Sequence, residues 1–125
     1  MKTKGRVASF PASVRNASCG IGHLLRTQWN ARVELIVAAV AVLLGGYLGL
    51  RAWEWVALTI QIALVLGLEA VNTALEALSD EVTLEIRPRI RAAKDVAAGA
   101  VLIAAVASLV TGAFIFLPKL VERFF

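Results

Sequence analysis

Polar residues that could carry chemistry recur along one stretch of the chain at the spacing of a single helix face. The stretch follows an apolar run, and at about 100° per residue its polar members form one stripe: Glu69, Asn72, Thr73, Glu76 and Asp80. An ionised carboxylate in a membrane span costs roughly 2.5–3.5 kcal/mol, so such groups persist where they face water, a metal or a partner. Glu69 and Glu76 lie two turns apart, roughly 10 Å along a helix axis. One could therefore bind a metal near the headgroups while the other reaches a lipid hydroxyl.

A second candidate group follows a charged segment further along the chain. Lys94 and Asp95 come directly before the third long apolar run. A helix N-terminus that carries a lysine is suited to binding phosphate. The acidic stripe ends on the same side of the membrane, so the two groups could share one site.

The same residues could instead have structural roles. The acids could pair with Arg32 or Lys94 and hold the helices together, and Asn72 could form an interhelical hydrogen bond. Asp80 could simply end a helix, and Lys94 could extend towards the interface. No G-x-x-x-x-G-K-[ST] loop and no kinase-type glycine loop is present, so a nucleotide site in this chain would be unconventional.

The elements that would position these groups are membrane spans. Of the 125 residues 59% are apolar, and mean hydropathy is +0.77, more than a soluble domain of this size can bury. We predict an all-α membrane protein with three transmembrane helices and an N-terminal amphipathic interfacial helix, forming a single membrane-embedded domain over residues 1–125. The surface helix is expected at about 7–26, with Pro11 in its first turn, and the spans at about 32–50, 55–79 and 96–117. Residues 80–95, which include Pro88, are expected to form a polar loop.

Charge sets the expected orientation and partners. Residues 1–33 carry six basic residues and no acid, and the 80–95 segment carries four more basic residues. The positive-inside rule then places the N-terminus and this segment in the cytoplasm. Nucleic acid is not an expected partner, because no soluble basic domain remains outside the apolar runs. The single cysteine, Cys19, excludes an internal disulfide, and the single histidine, His23, excludes a histidine cluster for metal.

Two blocks of sequence resemble a known family. Glu69-Ala-Val-Asn72-Thr73-Ala-Leu-Glu76-Ala-Leu-Ser-Asp80 is similar to the E-x-x-N-[ST]-A-[IL]-E-x-x-x-D signature of prokaryotic diacylglycerol kinases and undecaprenol kinases. Ala93-Lys94-Asp95 and the residues after it resemble their A-K-D block. The resemblance runs from Phe10 to the Leu117-Pro118-Lys119-Leu120 ending. It implies a multi-pass protein of the bacterial cytoplasmic membrane that transfers phosphate from ATP to a lipid alcohol, either undecaprenol or diacylglycerol.

The resemblance also implies roles for individual residues. Glu69 matches the general base for the lipid hydroxyl, and Glu76 matches a carboxylate that binds Mg²⁺. The resemblance also implies a homotrimer whose active sites are shared between subunits. The remaining matches are catalytic or nucleotide-binding positions (Asn72, Asp80, Lys94, Asp95), a nucleotide-contacting loop (Glu85, Ile86, Arg87), a nucleotide position on the surface helix (Asn16) and lipid positions at the start of span one (Arg32, Glu34).

The chain departs from the family pattern at two positions. Gln28 stands where the family commonly has a second metal-binding glutamate, and Ser9 aligns with a frequent active-site arginine, although Arg6 is near. Either Mg²⁺ is held mainly by Glu76 and the ATP phosphates, or this member is weakly active or non-catalytic. A proton-coupled membrane carrier is a further alternative, because carboxylates in membrane spans suit proton relays.

Overall fold

The computed structural model describes residues 9–125, and this part of the chain consists of four α-helices joined by short connections. The predicted all-α class is confirmed, and three of the helices are long and apolar enough to cross a membrane. The basic residues Lys2, Lys4 and Arg6 and the predicted helix start at residue 7 lie outside the described residues. The helices are α1 (Phe10–Thr27), α2 (Trp29–Leu48), α3 (Ala52–Val82) and α4 (Pro88–Phe124).

Helix α1 is the predicted amphipathic helix, with Pro11 in its first turn as expected. Of its residues only Leu24 is buried, whereas Phe10 and Ile21 are exposed. Exposed apolar groups on a short helix that precedes a membrane span are typical of an interfacial helix. Gln28 adopts an extended conformation between α1 and α2, and its backbone N–H donates to the Leu24 carbonyl at 2.8 Å.

A tight turn connects α2 to α3. Gly49 ends α2 at φ +71°, in the left-handed region that favours glycine. The backbone N–H of Arg51 then donates to Glu54 Oε2 at 2.7 Å, which caps the start of α3. At Gly45 an added Cβ would come within 3.1 Å of Leu50 and Trp55, so this glycine allows the turn to pack closely against α2.

Helix α4 begins at Pro88, eight residues before the predicted span, and the connecting segment covers only residues 83–87. The prediction of a loop over 80–95 was therefore wrong for most of its length. Proline is favoured in the first turn of a helix because its missing N–H has no partner there. Arginine and lysine are good helix formers, so the charges that suggested a loop instead lie on an exposed first part of α4.

Helices α3 and α4 form an antiparallel pair that packs more extensively than any other two helices of residues 9–125. At about 1.5 Å per residue they are roughly 46 and 55 Å long, which exceeds the hydrocarbon core of a bilayer. Their apolar contacts include the buried Leu58 and Ile115. The buried face of α3 also carries four polar residues, near its two ends and towards its middle: Glu54, Glu69, Asn72 and Ser79.

Candidate functional site

A polar cavity of about 270 Å³ lies where α3 ends and α4 begins. Six of the residues expected to bind nucleotide or to act in catalysis line it together. They come from the end of α3, the 83–87 segment and the first two turns of α4, so the short connection is what brings them into one place. The lining residues are Asp80, Glu85, Ile86, Arg87, Lys94 and Asp95, with Thr83, Leu84, Ile90 and Arg91 completing the wall.

Lys94 and Asp80 form an ion pair across this cavity, with Lys94 Nζ 3.0 Å from Asp80 Oδ1. One of the structural alternatives, pairing of a stripe acid with Lys94, is thus realised for Asp80. Both side chains are partly exposed, at 36% and 56%, and exposed pairs contribute only about 0–1 kcal/mol. Stability alone therefore gives little reason for this pair, and both groups remain accessible to a ligand.

The loop beneath the cavity is ordered by local hydrogen bonds. The Glu85 backbone N–H donates to Thr83 Oγ1 at 3.1 Å, which is a turn favoured by threonine. The Arg87 guanidinium lies 3.6 Å from the Glu85 carboxylate. The N-terminus of α4 starts at the same cavity, where a helix carries a partial positive charge. Three cations and three carboxylates therefore surround one small space, an arrangement able to bind phosphate groups and a cation together.

The first part of the acidic stripe is buried between the helices. Glu69 is only 3% exposed, and Asn72, Thr73 and Glu76 follow it within two turns of α3. Asn72 Oδ1, Thr73 Oγ1 and Glu34 Oε2 are buried without a hydrogen-bond partner among the described residues. Buried polar atoms without partners are unfavourable and uncommon. Their accumulation around Glu69 marks a place where a ligand or a second chain would supply partners.

A larger apolar groove of about 620 Å³ runs between α2, α3 and α4. Most of its lining is aliphatic, including Val65 and Leu58 from α3, and Phe116 of α4 adds an aromatic ring. Glu34, one of the residues expected near the lipid, lines it, and so does Gln61, whose Oε1 is buried without a partner in this part of the chain. The groove is therefore a mostly aliphatic surface that carries the polar residues Glu34 and Gln61.

Other predicted residues are not gathered into either cavity. Glu76 is half-buried and lines neither. Asn16 is exposed on α1, and Gln28 lies at the α1–α2 junction. The Arg32 guanidinium lies 5.5 Å from the Trp29 ring, a cation–π contact near the start of α2. Within residues 9–125 no group of three histidine, cysteine or acidic residues is placed to hold a metal.

Sequence reasoning missed two polar residues of the cavity, Thr83 and Arg91. Arg91 had a detectable signal, since it lies one helical turn before Lys94. That spacing is informative only when the 88–95 segment is recognised as helix. Thr83 had no signal, because its place depends on where α3 ends.

Comparison with known proteins identifies related sequences. Residues 15–116 match the family described as prokaryotic diacylglycerol kinase. The undecaprenol kinase of Bacillus subtilis (strain 168) is 38% identical over 111 residues, which are 89% of this chain and 90% of that protein. The diacylglycerol kinase of Synechocystis sp. is 36% identical over 111 residues, 88% of this chain and 63% of that protein. The diacylglycerol kinase of Sinorhizobium sp. is 35% identical over 101 residues, 79% of this chain and 74% of that protein.

Proposed function

We propose that this chain, which belongs to the prokaryotic diacylglycerol kinase family, transfers the γ-phosphate of ATP to the hydroxyl of a membrane lipid alcohol. Undecaprenol and diacylglycerol are the two candidate lipids, because two similar proteins are named undecaprenol kinase and diacylglycerol kinase. The observation that carries the proposal is the polar cavity at the α3–α4 connection, which is lined by six residues predicted from the sequence.

In this proposal the polar cavity holds the ATP phosphates. The reaction depends mainly on positioning and on neutralising charge. Lys94, Arg87 and Arg91 supply the positive charge, and the N-terminus of α4 adds its dipole. Asp80 keeps Lys94 in place, with 3.0 Å between the charged atoms. Asn16 of α1 contributes to nucleotide binding from the surface helix.

The lipid occupies the apolar groove, which lies further along α3 and α4 than the polar cavity. Its aliphatic chain lies in the groove between α2, α3 and α4, and its hydroxyl reaches the buried polar group near Glu34. Glu69 accepts the proton of this hydroxyl, whose oxygen attacks the γ-phosphorus as the bond to ADP breaks. Asn72, whose carbonyl oxygen has no partner within residues 9–125, orients the hydroxyl, and Arg32 binds near the lipid headgroup.

The residues present are compatible with Mg²⁺ bound together with ATP. Mg²⁺ keeps several waters and commonly takes only one or two carboxylates beside substrate phosphates. Glu76 offers one carboxylate, and Gln28 offers an uncharged carbonyl oxygen. When bound, the ion would neutralise charge on the transferring phosphate.

We further propose a homotrimer that completes each site from two chains, in the cytoplasmic membrane with the N-terminus in the cytoplasm. Glu76 lines neither cavity of a single chain, and three buried polar atoms near Glu69 have no partner among residues 9–125. A neighbouring chain would supply what is missing at both places. The basic 87–94 segment supports the cytoplasmic orientation of the polar cavity.

The test is an ATP-dependent phosphorylation assay in mixed micelles, with undecaprenol and diacylglycerol offered separately, with and without Mg²⁺. We expect phosphate transfer to one of them. Glu69→Ala should reduce turnover to near background while leaving the folded assembly intact by size-exclusion chromatography. If Glu69→Ala kept most of the activity, its assignment as general base would be wrong.

Gln28, which replaces the glutamate common in the family, supports a second hypothesis: the chain is a weakly active or non-catalytic member of the family. It predicts little transfer by the natural sequence and a clear gain in Gln28→Glu. A proton-coupled carrier instead predicts ion flux in liposomes and no ATP consumption. The phosphorylation assay and a flux assay on the same preparation separate the three.

A further inference from the structure

A second ion pair between α3 and α4 lies far from the proposed site. Lys119 Nζ is 3.1 Å from Glu54 Oε2, and their side chains are only 17% and 8% exposed. The same carboxylate oxygen accepts the hydrogen bond from the Arg51 backbone N–H at 2.7 Å. This pair is thus more buried than the Lys94–Asp80 pair at the other end of the helices.

The two ion pairs have matching positions along the helices. On α3 the acids are residues 54 and 80, and on α4 the cations are residues 94 and 119, so the separations are roughly 39 and 38 Å. The acid lies on α3 and the cation on α4 in both pairs. Sliding α4 by one helical turn, about 5.4 Å, would break both contacts at once. A single register therefore satisfies both ends.

The buried pair also lies next to an interruption in the helical hydrogen bonds of α4. Pro118 is inside α4 and has no N–H to donate to the preceding turn. The helix nevertheless continues to Phe124, and Lys119 follows the proline directly. A contact placed here can fix the end of α4 against α3 even though the helical hydrogen-bond ladder is interrupted.

We propose that the Glu54–Lys119 pair is a positioning device that sets the register of α4 on α3 and so holds Lys94 at the nucleotide cavity. This inference rests on the proposed function for the role of Lys94 in ATP binding. Glu54 and Lys119 act through the helix pair and do not touch the substrates. The apolar contacts between α3 and α4, such as that of Leu58 with Ile115, are less specific about helix register than a charge pair is.

The central variant is Lys119→Met, which keeps side-chain length and removes the charge. We expect kcat to fall about fivefold, within the range of measured long-range couplings, with the KM for lipid changing by less than about twofold. Lys119→Arg should restore the wild-type kcat, because it restores the cation. Arg123→Met is the matched control, since it removes another cation near the same end of α4. The Arg123 guanidinium contacts Tyr47 of α2, with 3.4 Å between a guanidinium nitrogen and the Tyr47 hydroxyl, rather than a residue of α3.

A distance measurement tests the register without using activity. Spin labels at Glu81→Cys and Ala92→Cys, both at exposed positions, are placed in a Cys19→Ser background and diluted with unlabelled protein. Lys119→Met should broaden or shift the distance distribution across the α3–α4 hairpin, whereas Arg123→Met should not. If Lys119→Met does not fold, Glu54→Gln replaces it, because the amide can still cap Arg51.

The two readouts together distinguish a register role from a purely stabilising one. A lowered kcat together with an altered distance supports the register role of the pair. An unchanged distance distribution would overturn it, and the pair would then only stabilise the end of α4. An altered distance in a protein that phosphorylates no lipid would support the register and overturn the proposed function instead.

Discussion

Replacement of Lys94 by methionine separates a chemical role from a structural one. The change removes the cation that lies 3.0 Å from Asp80 and keeps a side chain of similar length. Since both partners are partly exposed, losing the pair should lower stability by no more than about 1 kcal/mol. A cation that neutralises a transferring phosphoryl group is worth more, about 2.7–4 kcal/mol, which corresponds to a loss of roughly 10²–10³ in kcat.

The assay measures turnover and thermal stability of Lys94→Met on one preparation in mixed micelles. We expect turnover to fall at least about a hundredfold while the melting temperature changes little. Arg89→Met is the matched control, because Arg89 is an exposed cation in the first turn of α4 that does not line the cavity. It should retain wild-type turnover. A loss of less than about tenfold in Lys94→Met, or an equal loss in Arg89→Met, would show that Lys94 has no special part in phosphoryl transfer.

Three further predictions concern packing and metal use. Gly45→Ala should destabilise the protein in thermal melts, because the added Cβ would lie 3.1 Å from Leu50 and Trp55. Gly46→Ala is the control and should be neutral or slightly stabilising, since an added Cβ there has nothing within 4 Å. Equal melting temperatures for the two variants would mean that the turn packs less closely against α2 than described. Ile115→Ala should cost about 2–5 kcal/mol because Ile115 is 2% exposed, whereas Phe114→Ala at a 79% exposed position should not; chemical denaturation measures both. Gln28→Glu should lower the Mg²⁺ concentration for half-maximal activity, since it adds a carboxylate ligand, and an unchanged Mg²⁺ dependence would remove Gln28 from the metal site.

Much of the fold could be predicted because long apolar runs and a helical stripe are strong local signals. The spans and the surface helix follow from them, with Pro11 in the first turn of α1. The start of α4 could not be placed, because Pro88 and the charged residues after it are compatible with both a loop and a helix N-terminus. Whether residues 1–125 form one domain stays a prediction.

The sequence predicted which residues form the site better than it predicted how they are arranged. The stripe and the two blocks pointed to Asp80, Lys94 and Asp95, and the family resemblance added Glu85, Ile86 and Arg87. The structure brings these six residues to one cavity. Neither indicated that Glu69 is buried while Asp80 is exposed, because burial depends on how α2 and α4 pack on α3. The Glu54–Lys119 contact was also missed, since nothing local links residues so far apart in the chain.

The roles assigned to individual residues stay predictions. Asn16, Gln28 and Glu76 do not line the polar cavity of a single chain. If neighbouring chains complete the site, these residues would be brought to it by assembly. Crosslinking between Glu76→Cys on one chain and Glu85→Cys on another would detect that arrangement.

Photoaffinity labelling tests most directly whether the α3–α4 cavity binds the nucleotide. An azido analogue of ATP is crosslinked to the protein in lipid vesicles, and the labelled peptide is mapped by mass spectrometry. We expect label within residues 80–95 that is lost with excess ATP and reduced in Lys94→Met. Label that falls elsewhere, or that excess ATP does not displace, would mean that this cavity is not the nucleotide site.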